Sequence, residues 1–151
     1  MRKTIIVVAL VLGFAVLFAC KSQPEPAAEM TETEQMFKGV YDQYRDSLIL
    51  DGAKKHIVTK GEWLAHIALE EYHDGFYYPL IMLASSNVVL DPDLIRPGME
   101  LTVPSLRRNL EDPAARASLH EFLLKIADLE EARNRYDTAV IMRGHAGAIK
   151  D

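Results

Sequence analysis

HIVTKGEWLAHIA, residues 56–68, changes its apolar rhythm halfway along. Ile57 to Thr59 is a short β-branched run that suits a strand. Lys60-Gly61 then turns the chain into a segment whose apolar residues, Leu64, Ile67, Ala68 and Tyr72, recur at helical spacing. Glu62 is placed for the first helical turn, where a carboxylate meets free N–H groups and the positive end of the dipole. His73-Asp74-Gly75 stops the helix.

Working outward, Pro79 opens a second helix through Leu80, Ile81, Leu83 and Ala84 to about Ser86, because proline is accepted in a first turn. Asp91-Pro92-Asp93 reads as a loop. Arg96-Pro97-Gly98-Met99 puts proline and glycine at the two central positions of a type II turn, and Leu101 and Val103 alternate after it as a second strand. The order is strand, helix, helix, strand.

This block, residues 55–105, resembles a LysM domain over its whole length. The family's opening motif, aromatic-x-Val-x-x-Gly-Asp-Thr-Leu-x-x-Ile-Ala, is matched by His56 to Ala68. Its later signature is matched by Tyr78-Pro79-Leu80-Ile81, Ala84-Ser85 and Asp91-Pro92-Asp93-Leu94-Ile95-Arg96-Pro97-Gly98. The resemblance implies an α+β fold, a βααβ domain with two helices on a two-stranded antiparallel sheet. It also implies a shallow groove for polymers containing N-acetylglucosamine, peptidoglycan above all. Carried over by position, the groove walls are Gly61, Glu62, Trp63 and Leu64 on one side and Pro92, Asp93, Leu94 and Ile95 on the other. Glu62, Trp63 and Ser85 depart from the family's usual Asp, Thr or Ser, and Asn. Two readings of Trp63 stand: its indole face meets a sugar ring, or it packs on Tyr72, Phe76 or the flanking helices.

Other chemistry finds little support. His66 and His73 are seven residues apart, too far for the i, i+4 pair that a metal favours, and Asp91-Pro92-Asp93 lacks the further oxygens and the glycine of a cation loop. Hydrolysis of a glycan needs two carboxylates about 5 to 9.5 Å apart across a deep cleft. Glu62 and Asp93 would face each other over the implied groove, but a fifty-residue domain offers little scope for such a cleft, so no enzyme activity, metal or cofactor is expected.

Upstream, Arg2 and Lys3 precede an apolar run from Ile5 to Ala19, a signal-peptide length rather than the roughly 20 residues of a membrane span. Leu17-Phe18-Ala19-Cys20 resembles the lipobox of bacterial lipoproteins, which implies cleavage after residue 19 and lipidation of Cys20, the only cysteine. An uncleaved N-terminal anchor is the alternative. Several acyl chains on one cysteine hold a protein stably at a membrane, since each buried methylene contributes about 0.8 kcal/mol. Residues 20–30 then form a proline-containing tether reaching ~30 Å if extended at ~3.1 Å per residue. Residues 31–50 carry a capping box, Thr31 with Glu34, and an amphipathic helix with Phe37, Val40, Tyr41, Tyr44 and Leu48 on one face.

Downstream, Asp112-Pro113 caps a long helix within residues 111–143, and Leu119, Phe122, Ile126, Leu129, Tyr136 and Val140 form a seam along it. From Pro113 to Met142 it would be about 45 Å long. The seam either pairs with the residue 31–50 helix or serves a protein partner or homodimer. Gly144 and Gly147 suggest a loose tail over 144–151.

Without Arg2 and Lys3 the 17 basic residues become 15 against 22 acidic ones, a formal charge of −7, which argues against nucleic acid. The expectation is therefore a lipoprotein of the bacterial cell envelope that binds peptidoglycan non-covalently. Lys21 after the cysteine favours the outer membrane, facing the periplasm. The alternative is an envelope scaffold that works through its long helices and binds no sugar.

Overall fold

The computed structural model describes residues 29–150; the segment expected to be a signal peptide, Cys20 and most of the segment expected to be a tether lie outside the described residues. The fold is α+β: among the described residues there are six α-helices and a two-stranded antiparallel sheet. None of these helices is long and apolar enough to cross a membrane.

Helix α1, Glu32–Tyr44, begins at the expected capping box: Thr31 Oγ1 accepts from the Glu34 N–H at 3.1 Å and Glu34 accepts from the Thr31 N–H at 2.7 Å. Its buried face is Phe37 and Tyr41, and it runs on into a single 3-10 turn at Arg45–Ser47.

Strand β1, Lys54–Ile57, starts earlier than the Ile57–Thr59 run suggests. It pairs with β2, Glu100–Val103, placing Lys54 opposite Val103 and Ile57 opposite Glu100. Lys54 and Lys55 belong on a strand with a free edge, where charged side chains reach water. Beyond the strand, Val58 still exchanges backbone hydrogen bonds with Met99 and Gly98 at 2.9 and 2.8 Å. The turn at Arg96–Met99 closes with Met99 N–H donating to Arg96 C=O at 3.1 Å and Gly98 at φ 90°, as a type II turn requires.

Helix α2, Leu64–Tyr72, is preceded by Trp63 at the cap position and stopped by His73 in the left-handed region. Glu62 is therefore not in the first turn, as expected from sequence, but before the cap. Gly75 follows, where an added Cβ would lie 2.8 Å from the Ala65 carbonyl oxygen, so only glycine allows this close approach. Helix α3, Tyr78–Ala84, buries every residue from Tyr78 to Leu83. Ser85 then accepts from the Thr102 N–H at 2.8 Å, stitching the end of α3 to β2.

Helix α4, Leu106–Glu111, holds the buried Asn109, whose side chain both accepts from and donates to the Ile49 backbone. Asp112 caps α5, Pro113–Ala132, through the N–H groups of Ala114 and Ala115. The single long helix of the sequence reading does not occur. Asn134 adopts φ 62°, its N–H donates to Glu131 C=O and the Arg135 N–H donates to Glu130 C=O. That pair of bonds is a Schellman cap, and it ends α5. Helix α6, Tyr136–Ile149, then folds back: His120 reaches the Ala146 carbonyl at 2.8 Å and Arg143 reaches Asp128 at 3.0 Å. The residues read as a glycine-containing tail, up to Ile149, are helical, held by the buried Ala139, Met142, Ala146 and Ile149.

One hydrophobic core runs through α1, α2, α3, β2, α5 and α6. Tyr41 and Tyr44 meet Phe122 with ring centroids 6.4 and 5.7 Å apart, so α1 pairs with α5. Leu119, Phe122 and Ile126 are spent in this core, whereas Tyr136 and Val140 are 57% and 67% exposed. The six-residue seam therefore does not exist as one surface, because the reversal at Asn134 resets the helical phase.

Candidate functional site

Two loops meet beside the N-terminus of α2. The first runs from Val58 to Trp63, and Gly61 within it has φ 92°, a conformation that favours glycine. Glu62 locks this loop: its carboxylate accepts from the Thr59 N–H at 2.6 Å and lies 3.0 Å from His56 Nε2. The Thr59 hydrogen bond and then the His56 contact hold the Glu62 carboxyl below the usual glutamate range.

The second loop contains a 3-10 turn at Pro92–Leu94, capped where Asp91 accepts from the Asp93 N–H at 2.9 Å. Asp93 is gripped from the far end of the chain. Arg133 donates to it at 2.5 Å and Arg135 binds both of its oxygens. Burial pushes the Asp93 carboxyl up, but the Arg135 hydrogen bonds and both guanidinium charges hold it below the usual aspartate range. Arg133 is only 15% exposed, lies 5.3 Å from the Phe37 ring centroid and reaches Glu130 at 3.3 Å. Glu130 is fully buried, and burial raises its carboxyl above the usual range despite the attraction of both arginines. One Glu130 oxygen and the Tyr41 hydroxyl are buried without a hydrogen-bond partner in the protein.

Between the loops lies an open cleft of about 220 Å³. Of the residues expected at the groove, Trp63, Leu64, Pro92 and Asp93 line it together. Leu94 instead lines a neighbouring depression with Val88, Arg96 and Met99. Gly61 and Glu62 shape the first loop without lining the cleft, and Ile95 packs against the core. The sequence reading of the groove left out Ala65, Phe76, Tyr78, Arg135 and Thr138, which complete the lining. The signal for the last two was the Arg133-Asn134-Arg135 triplet, whose asparagine can take a left-handed cap.

Trp63 is 60% exposed at the lip of the cleft, with its indole stacked on the His66 ring at 5.0 Å. It is not buried against Tyr72, Phe76 or the flanking helices. The arrangement offers an aromatic face and a few polar side chains, the inventory of a small polar-ligand cleft. Asp93, the carboxylate that lines the cleft, is engaged by the arginines, and Glu62 beside it is engaged within the first loop. Among the described residues, no three His, Cys, Asp or Glu side chains gather to hold a metal ion.

A larger cleft of about 690 Å³ lies elsewhere, around Tyr72, Pro104 and Leu106. Four of its charges pair off, Lys54 with Glu71 at 2.7 Å and Arg107 with Glu111 at 2.9 Å, and Arg116 donates to the Leu110 carbonyl.

No family model, no curated protein and no solved structure matches the chain.

Proposed function

We propose that the chain is an envelope lipoprotein that grips peptidoglycan, or another N-acetylglucosamine polymer, through a LysM-type βααβ block. The single observation that carries this reading is Trp63, an indole left 60% exposed at the lip of a cleft between the two loops that the family resemblance implies. An aromatic face on a sugar ring gains contact area at small entropy cost, because the side chain has only two rotatable bonds. The strand, helix, helix, strand order and the type II turn support the same reading. Lipidation at Cys20 would fix many copies in one membrane facing a repetitive polymer, and the resulting effective concentration compensates for a weak individual site.

The scaffold alternative relied on Leu119, Phe122 and Ile126 as a partner surface, and these are buried within the chain itself. Co-sedimentation of residues 20–151 with purified sacculi tests the glycan reading. The expected result is pelleting that Trp63→Ala abolishes; equal recovery of both proteins in the supernatant would refute it.

A further inference from the structure

We propose that the α5–α6 turn is a working wall of the groove, so that the sugar-binding unit is the βααβ block together with the helical hairpin. This rests on the glycan reading above and extends it to residues outside the resemblance.

Three observations converge. Arg135 and Thr138 line the same cleft as Trp63 and Pro92. Arg133 and Arg135 both bind Asp93, and thus fix the Pro92–Leu94 turn that forms the opposite lip. The hairpin is itself held at a second point, where His145 Nε2 lies 2.7 Å from Asp74 and Asp74 accepts from the Phe76 N–H at 2.9 Å; Phe76 also lines the cleft. The hairpin therefore touches the cleft lining at Pro92–Asp93 and at Phe76.

The consequences differ for the two residue kinds. Thr138 meets the ligand directly. Arg133 is a positioning residue that acts through Asp93; Arg135 does the same and also lines the cleft. The Asp93 carboxylate is occupied and its N–H is taken by Asp91, which leaves the sugar to the Pro92 ring and the exposed edge of Arg135. Pockets for drug-sized ligands measure roughly 300–1,000 Å³. A cleft of about 220 Å³ walled on three sides suits one N-acetylated hexosamine ring, with the rest of the polymer running out over the open lip.

Trp63 is the only tryptophan, so its fluorescence in the full chain in detergent reports occupancy of this cleft alone. Titration with the N-acetylglucosamine tetramer should give a saturable change in the native protein. Thr138→Tyr, which fills the cleft from a partly exposed helical position, should weaken binding by at least about tenfold. Arg135→Gln should weaken it severalfold and Arg135→Lys, which keeps a charge beside Asp93, should recover part of the loss. Thermal midpoints of Thr138→Tyr and Arg135→Lys should stay at the native value. Native affinity in both Thr138→Tyr and Arg135→Gln would overturn the wall while leaving the glycan reading intact. No response of the native protein would overturn both.

Discussion

Arg135 holds both carboxylate oxygens of Asp93 across 42 residues of chain, joining the turn between α5 and α6 to the loop that precedes β2. The helical hairpin is thereby part of the same rigid unit as the small sheet. A two-stranded sheet is marginal alone, and here its buried residues Leu101 and Val103 share one core with Leu123 and Met142.

Arg133 should be the costliest charge to remove. Its guanidinium faces Glu130, which is fully buried, as well as Asp91 and Asp93. Arg133→Met leaves that buried carboxylate poorly compensated, and a loss of about 3 kcal/mol is expected in urea unfolding at pH 7. Combining it with Glu130→Gln should restore most of the loss. Additive effects of the two changes would show that they do not interact.

The pH dependence should carry two opposite signs. Glu62, Asp74 and Asp93 are held below their usual range, so the stability they add is complete at neutral pH and is lost as pH falls through and below the ordinary carboxylate range. For Asp74 and Asp93, burial works against this and the hydrogen bonds from His145 and Arg135 prevail. Glu130 is raised by burial, so its contribution is present at acid pH and is lost as pH rises through the ordinary glutamate range to its raised value. Unfolding free energies from pH 3 to 8 should show Asp93→Asn flattening the acid limb. Glu130→Gln should flatten the decline on the other side.

Gly144 and Gly147 sit inside α6 with nothing within 4 Å of where a Cβ would be. Alanine at each should raise stability by up to about 1 kcal/mol, since glycine has the greater backbone entropy to lose in a helix. A fall in the thermal midpoint would mean that this face is covered.

Trp63→Ala should separate binding from folding. The side chain is mostly in water, so unfolding should shift by about 0.5 kcal/mol or less. Glycan affinity should drop by at least about tenfold.

Local chemistry was legible in the sequence. Thr31 with Glu34, Asp112 with Pro113, and the Arg96–Met99 turn each act through neighbouring backbone, and each forms as read. Within residues 55–105 the order of strands and helices was legible for the same reason. Lys54 and Lys55 hid the start of β1 because their charge masks an edge position. The break at Asn134 was hidden because Leu129 and Tyr136 are seven apart, a spacing that an unbroken helix shares. Packing of Ala139, Met142, Ala146 and Ile149 overrides the weak helix propensity that made Gly144 and Gly147 look like a tail. The Asp93 pairing joins residues about 40 positions apart, beyond any periodicity, and so Arg135 and Thr138, which lie outside the motif, could not be found from it as cleft residues.

The most direct measurement is a nuclear magnetic resonance titration of residues 20–151 with N-acetylglucosamine oligomers. Shifts centred on Trp63, Leu64, Pro92-flanking amides and Thr138 are the predicted result. An unchanged spectrum at millimolar oligomer, or shifts confined to the larger cleft at Tyr72 and Leu106, would contradict the account.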